Sequence, residues 1–519
     1  MKLRSRLLSL LLALVLALTL CVPALGARYP YDRDDHYTQI YVEGLVSKWV
    51  THPDEPGVSL FTPVDTGRLM TAFSHATDYM KDALAKGDPD LLYHAMYDPL
   101  VEFFGEAALL PDGYTMKDTV TVPPTKLYQM EGNKFLFQFD ARLDPVDIAK
   151  ELDDYIRWVK AEGRVTMSRY HNTVTDKIEL VGSSYGAAVV EAYLHEYGCE
   201  NIDSVLLCVP TVGGVRMVGD LFTGDFSFDA KALRDTLKGL EQTSEFDPLI
   251  EVLEKSGALQ ILLSDVLTPA LKAAFTHALH DALHDTVATM PSFWSFVDDE
   301  HFEAAIDYMF GKEGEKETYQ GLIDRITYYH YEVFNHASDI LLDAQASGVH
   351  CAVICKYNSA TIPVSADDNA LSDGIMPVET ASFGATAAKS RGTLPADYTL
   401  QKFTDVNYLS PDRMIDASTC LLPEHTWFIK DLWHGTKCDD YFDMINKIIY
   451  ENLDVFTDPT LPQFLQYDEA AKTLSPLTAG DAPAQQTDSS SRLSWFGTLA
   501  RFLMFLVKMA QKLFARVKG

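Results

Sequence analysis

One stretch of the sequence, residues 177–194 (KIELVGSSYGAAVVEAYL), constrains the fold more than any other. Its apolar start predicts a strand, a Gly-rich turn follows, and a run of small residues then predicts a helix. Across the turn the spacing is G-x-S-x-G, with Gly182 and Gly186 on either side of Ser184. A serine on so sharp a turn needs residues without side chains two positions before and after it, because the strand and the helix nearly touch there. The pattern therefore favours Ser184 as a nucleophile over an ordinary Gly-Ser turn.

Strand and helix patterns alternate on both sides of this stretch. Residues 38–42 and 134–139 are rich in β-branched and aromatic residues, which predicts two strands. Residues 146–161 have the apolar spacing of an amphipathic helix, and residues 202–209 predict another buried strand. The order β-α-β-α-β implies an α/β fold with a mostly parallel, doubly wound sheet and helices on both faces.

The composition changes along the chain and predicts several parts. The α/β core comprises residues 28–214 and 347–456, with a last short strand at residues 414–422. Residues 215–346 have helical periodicity almost throughout, which favours an inserted helical cap, or lid, over an ordinary helical layer of the core. Residues 457–492 are rich in Pro, Ser, Thr and Gln and predict a linker.

Both ends of the chain have patterns typical of export and of membrane surfaces. Residues 1–27 combine basic residues, an apolar run and small residues, which predicts a cleaved signal peptide; an uncleaved membrane anchor is the alternative. Residues 493–519 predict a cationic amphipathic helix that lies in an anionic membrane interface. A helix docked on the protein itself and a tilted membrane span remain alternatives.

Net charge and cysteine content limit the partners and cofactors. The net charge is −31, from 74 acidic and 43 basic residues, which argues against nucleic acid as a general partner. Together with the N-terminal pattern, this predicts a secreted or extracytoplasmic protein. The seven cysteines are too sparse for a disulfide scaffold, although Cys420 and Cys438 could pair. No Cys/His spacing is typical of zinc, so we predict neither a metal nor a cofactor.

A serine nucleophile needs an imidazole to take its proton and a carboxylate to orient that imidazole. On this kind of turn the order along the chain is serine, acid, histidine. The acid candidates are Asp367, Asp368 and Asp373. We favour Asp373 because Gly374 permits a tight turn that presents the carboxylate; a solvated acidic loop, including a calcium-binding one, is the alternative.

The base should follow the last strand and precede the final helix. His434 and His425 both fit, and we favour His434 because it lies directly ahead of that helix. Two backbone N–H groups should stabilise the oxyanion. We expect one from Tyr185 and the other from residues 44–46, with Leu45 as the donor.

Five motifs in the chain resemble those of one superfamily. They are YVEG at 41–44, FDARL at 139–143, LVGSSYG at 180–186, VPTVGG at 209–214 and DGIMP at 373–377. Together they are similar to motifs of the α/β-hydrolase superfamily, and within it of lipases and lecithin:cholesterol acyltransferase-like serine esterases. Glu43 stands where such enzymes usually have His or Pro, and Ser183 where they often have His.

The resemblance implies a Ser-Asp-His triad, a covering insertion after the Pro-Thr motif, and ester substrates with acyl chains. We therefore predict a secreted serine hydrolase or acyltransferase that acts on acyl esters or lipids and attaches to a membrane surface through residues 493–519. Amide or peptide hydrolysis by the same triad is one alternative, since pocket shape decides the leaving group. A non-catalytic, surface-binding protein on the same scaffold is another.

Overall fold

A nine-stranded β-sheet forms the centre of the computed structural model. The structure describes residues 38–45, 50–55, 59, 60, 72, 79, 82, 86–122, 128–129, 134–167, 177–225, 269–359, 370–390, 392–398 and 406–478. The strands are β1 (Thr38–Val42), β2 (Tyr128–Gln129), β3 (Lys134–Phe137), β4 (Ile178–Ser183), β5 (Ile202–Cys208), β6 (His350–Tyr357), β7 (Thr386–Ala387), β8 (Ile415–Asp416), β9 (Thr426–Lys430), β10 (Phe464–Asp468) and β11 (Thr473–Pro476).

The sheet is mostly parallel, as the alternating pattern predicts. Its order is β11-β10-β9-β6-β5-β4-β1-β3-β2. All neighbours from β10 to β3 pair in parallel, whereas β11 and β2 pair antiparallel at the two edges. Strands β7 and β8 pair with each other in a separate small sheet. In this topology the carboxyl ends of β4, β6 and β9 lie along one edge of the sheet, where ligands commonly bind in α/β folds.

Helices connect the strands and cover the sheet. They are α1 (Pro89–Phe104), α2 (Pro145–Met167), α3 (Tyr185–Tyr197), α4 (Arg216–Thr223), α5 (Pro269–His284), α6 (Pro291–Trp294), α7 (Phe302–Phe310), α8 (Glu315–Thr318), α9 (Gln320–Tyr328), α10 (Ala337–Ala346), α11 (Val378–Ala381) and α12 (Asp439–Glu451). Short 3-10 helices lie at Val287–Thr289, Phe334–His336, Ala417–Thr419 and Pro423–His425, and a π-helix at Tyr329–Val333.

Each face of the sheet packs into its own hydrophobic cluster. Successive residues of a strand point to opposite faces, so Ile40 and Val42 lie in the first cluster and Tyr41 in the second. Helices α2 and α3 pack together over the first cluster, and α12 covers the second. The apolar stripe of α2 predicted from the sequence is fully buried (Ile148, Leu152, Ile156, Val159). Burying such side chains contributes about 2 kcal/mol each.

Two of the predicted segments are wrong, the linker and the last strand of the core. Residues 464–468 and 473–476 are not linker but form β10 and β11, because Leu465 and Tyr467 bury their side chains in the second cluster. The polar residues around these strands hide the alternation of buried and exposed side chains in the sequence. The last strand before His434 is β9, whereas only residues 415–416 of the predicted strand at 414–422 form a strand, in the small sheet.

The described residues between β5 and β6 form helices joined by turns and loops, without a strand. Helix α5 packs along α1 and α7 packs against α4, while α10 contacts α3 and β6. Helix α10 therefore belongs to the layer on the sheet, although the prediction placed it in the cap. The predicted signal peptide (1–27) and C-terminal helix (493–519) lie outside the described residues. Among the helices that the structure does describe, none combines the length and the apolar character needed to span a bilayer.

Candidate active site

Ser184 occupies a strained turn between β4 and α3. Its φ of 55° and ψ of −123° are unusual for a residue with a side chain, a strain of about 1–3 kcal/mol. The two flanking glycines make this turn possible. A Cβ on Gly182 would lie 2.8 Å from the Ala187 Cα, and one on Gly186 would collide with the backbone carbonyl of Val42. The sequence prediction of a sharp strand-to-helix turn is confirmed in its geometry.

Ser184, His434 and Asp373 form one hydrogen-bonded series. The His434 Nε2 lies 3.0 Å from the Ser184 Oγ, and the His434 Nδ1 lies 2.7 Å from an Asp373 carboxylate oxygen. All three residues are buried. Because the carboxylate can only accept from Nδ1–H, the lone pair of Nε2 faces the serine hydroxyl. The structure thus brings together the three side chains that the sequence analysis favours, although Ser184 and His434 lie 250 residues apart.

The loop after β6 fixes the orientation of the Asp373 carboxylate. One carboxylate oxygen accepts from the backbone N–H groups of Ile375 (3.0 Å) and Met376 (2.8 Å), and the other faces His434. Gly374 has a φ of 100°, which favours glycine, as the prediction of a tight turn behind the aspartate requires. The backbone N–H of His434 also donates to the carbonyl of Asp373 at 2.9 Å, so the acid and base loops are joined twice.

The rival candidates lie elsewhere or outside the described residues. His425 precedes β9, and its ring centroid lies 5.2 Å from that of His350, the first residue of β6. This places it at the amino ends of these strands, the end opposite Ser184. Burial lowers the pKa of both rings, that of His350 to about 4. The loop that carries Asp367 and Asp368 lies in a part of the chain that the structure does not describe.

The predicted oxyanion donors flank the serine. Tyr185 begins α3 directly after Ser184, and its hydroxyl donates away from the site to the Leu143 carbonyl. Leu45 is fully buried, and Val46 is outside the described residues. A Cβ on the preceding Gly44 would lie 3.1 Å from the Ser184 Cβ, so this loop passes directly over the serine. The roles of the Tyr185 and Leu45 N–H groups stay predictions.

The loop that carries His434 also contacts the sheet directly, through a side chain that the sequence patterns did not single out. The ammonium of Lys437 donates to the Tyr41 hydroxyl at 3.1 Å and lies 5.2 Å from the centroid of its ring. The sequence leaves a pairing of Cys420 with Cys438 open, and the structure shows no disulfide between them. These cysteines belong to different hydrophobic clusters.

A separate cluster near α7 could hold a metal ion. Potential ligand atoms of Asp298, Glu300 and His301 lie within 4.8 Å of one another. The His301 ring also lies 2.6 Å from Asp298 and 3.3 Å from Asp220, so contacts among these side chains can account for the cluster. The prediction of no metal was based on Cys/His spacing, which does not detect carboxylates grouped around one imidazole.

The hydrogen-bonded series has a clear chemical capacity. An imidazole that faces a serine hydroxyl and is oriented by a carboxylate can accept the hydroxyl proton as the oxygen attacks a carbonyl carbon. Comparisons with protein-family models, curated proteins and solved structures found no match to this chain. Function is therefore inferred from the geometry of these three side chains.

Proposed function

We propose that the protein is a serine hydrolase or acyltransferase of the α/β-hydrolase type, acting on acyl esters. The observation that carries this proposal is the unbroken series from Ser184 through His434 to Asp373. Spatial proximity alone would be weak support. The serine is also on a strained turn, its base faces it at 3.0 Å, and the acid is fixed by two backbone donors.

The proposed reaction has two halves. The Ser184 oxygen attacks the ester carbonyl carbon while its proton moves to the His434 Nε2, and Asp373 stabilises the resulting imidazolium. The imidazolium then protonates the departing alcohol, which leaves an acyl-Ser184 ester. Water, or an acceptor alcohol in a transferase, gives its proton to His434 and attacks this ester. The acyl group leaves with the new oxygen, and the proton returns to Ser184.

The lipid-like character of the substrate is part of the same proposal. It is supported by the motif resemblance and by the aromatic side chains of the helical region, which we propose to be a lid. Phe296, for example, stacks on Tyr185 with ring centroids 6.2 Å apart. Residues 493–519 would hold the secreted enzyme at a membrane surface. Liposome flotation of the full chain and of a chain lacking these residues tests that attachment; equal flotation would refute it.

A fluorophosphonate probe tests the nucleophile directly. We expect the purified protein to be labelled at Ser184, and the Ser184→Ala variant to lose the label. Ser183→Ala is a matched control, because Ser183 is the adjacent buried serine, and it should retain labelling. Labelling that persists in Ser184→Ala would overturn the proposal.

Chromogenic substrates separate the proposed function from its alternatives. Hydrolysis of p-nitrophenyl esters that is lost in His434→Ala supports the esterase. Faster cleavage of the p-nitroanilide with the same acyl group would instead indicate an amidase. A folded protein that neither labels nor turns over any ester would favour the non-catalytic surface-binding alternative.

A further inference from the structure

Lys356 is a buried lysine next to the candidate active site. It lies one residue before the end of β6, and only 2% of its surface is exposed. Lysine is rarely buried to this extent, because an ammonium that leaves water must be given other partners. Burial lowers the pKa of Lys356 to about 7, and the nearby Asp373 charge opposes this shift. The contacts of its ammonium explain why the group is tolerated there.

The ammonium of Lys356 binds the turn that carries His434. It donates to the carbonyl oxygens of His434 at 2.9 Å and Thr436 at 2.8 Å, and lies 3.5 Å from that of Trp433. An ammonium has three N–H donors, so these carbonyls account for its hydrogen-bonding capacity. Its nitrogen also lies 4.4 Å from the centroid of the Tyr441 ring, within the range of a cation–π contact.

The turn at residues 433–436 is tight and carries the imidazole at its centre. The Thr436 N–H donates to the Trp433 carbonyl at 2.9 Å, which closes the turn. A Cβ on Gly435 would collide with the Trp433 ring, so the turn depends on glycine at this position. Three carbonyl groups that point to one side of such a turn repel one another unless a donor lies between them, and Lys356 supplies that donor.

The same strand also holds the acid loop. Just beyond β6, the Ser359 N–H donates to the Ser372 carbonyl at 3.0 Å, immediately before Asp373. Strand β6 and the residues just beyond it therefore hold both loops, the acid loop through the Ser359 backbone and the base loop through the Lys356 side chain. The 2.7 Å contact between His434 and Asp373 depends on both loops keeping their place.

We propose that Lys356 is a positioning residue, whose ammonium holds the 433–436 turn so that the His434 ring faces both Asp373 and Ser184. Its effect on turnover rests on the proposed function, whereas its effect on the His434 ring is a property of the fold. Lys356 touches no reacting atom in this scheme. It acts by keeping Nε2 in line with the serine hydroxyl.

The test compares two buried lysines on neighbouring strands. Lys356→Met keeps an unbranched side chain of similar length and removes the donors. Lys430→Met is the control, because Lys430 is fully buried on β9 and its ammonium pairs with Asp412 at 3.1 Å. Lys356→Gln serves as a milder variant if Lys356→Met does not fold. Circular dichroism establishes that each protein is folded.

Two measurements follow on the folded proteins. We expect Lys356→Met to lower kcat about 100-fold with KM changed by less than about threefold, because misplacing a catalytic group slows the chemical step more than binding. The second readout is the downfield proton resonance of the His434 Nδ1–H, assigned by its disappearance in His434→Gln. This resonance should be lost or broadened in Lys356→Met and retained in Lys430→Met.

The outcomes separate the two proposals. A folded Lys356→Met protein with an unchanged resonance overturns the positioning role, even if the wild-type protein is labelled at Ser184. An equal loss of the resonance in Lys430→Met also overturns it, because the effect would then be general to core lysines. If the resonance is lost only in Lys356→Met but the wild-type protein is never labelled, positioning stands and the proposed function fails.

Discussion

The two ends of the central strands both bury polar side chains, but with different partners. At the carboxyl ends, Ser184, His434 and Asp373 bond to one another, and Asp373 also bonds to backbone N–H groups. At the amino ends, a row of polar side chains crosses the sheet at one register, from β3 through β1, β4 and β5 to β6 (Lys134, Gln39, Glu179, Ser204, His350).

The row at the amino ends contains buried atoms without partners. Within the part of the chain that the structure describes, four of its side-chain atoms lack a hydrogen bond (Gln39 Nε2, Glu179 Oε2, Ser204 Oγ, His350 Nδ1). An unsatisfied buried polar group destabilises a fold by about 1–3 kcal/mol. Burial of polar groups therefore does not by itself indicate a site in this protein. The complete and directional partnering of Ser184, His434 and Asp373 does.

Matched carboxyl-to-amide changes at the two ends give the largest expected contrast. Asp373→Asn should lower kcat about 10⁴-fold, because an amide can no longer hold His434 in the required tautomer. Glu179→Gln should leave kcat unchanged, since Glu179 lies at the opposite end of β4. Steady-state ester hydrolysis by both variants provides the measurement. Similar losses in the two would mean that the contrast between the ends has no catalytic meaning.

The second largest expected effect is the pH dependence of the free energy of unfolding. Burial raises the pKa of Glu179 to about 9 and the pKa values of Asp144 and Glu191 to about 8. The folded state keeps these groups protonated above pH 4 while the unfolded chain ionises, so stability falls as pH rises from about 4 toward 8 or 9.

Each of these groups contributes a slope of up to about 1.4 kcal/mol per pH unit within its window. Urea denaturation between pH 5 and 8 measures the slope, and Glu179→Gln should reduce it by one group's share. A slope that is unchanged in Glu179→Gln would contradict the raised pKa of Glu179.

Removing the unsatisfied carboxyl group should have the smallest effect. Glu179→Met should stabilise the protein by about 1–3 kcal/mol at pH 7, because it removes a buried polar atom without a partner. Glu200→Met, at an exposed carboxylate just before β5, should change stability by less than about 0.5 kcal/mol. Urea denaturation compares the two, and a destabilised Glu179→Met protein would show that the carboxyl group is satisfied in solution.

The parts of the site that local sequence patterns encode were predicted better than those that depend on contacts between distant residues. Gly182, Ser184 and Gly186 lie within one short stretch, so their spacing alone predicts the turn. The preference for Asp373 and His434 used a neighbouring glycine and a position before the last helix, both of which are local features. Strand β9 was missed because the residues directly before it, Pro423, Glu424 and His425, resemble a loop.

Features that depend on register could not be predicted in this way. The alignment of Gln39 with Glu179 and of Glu179 with Ser204 exists only once three strands pair. Lys356 interrupts an apolar strand, which is a detectable signal, but its partners are carbonyl groups almost 80 residues further along the chain. A pattern of residue types does not encode where backbone carbonyls converge.

The wide separation of the serine and its base has a consequence for biosynthesis. During translation Ser184 is made first, and His434 follows 250 residues later. A nascent or prematurely terminated chain therefore carries the hydroxyl without the group that would accept its proton. By the chemistry proposed above, such a chain would not hydrolyse esters, because the reaction requires the imidazole of His434.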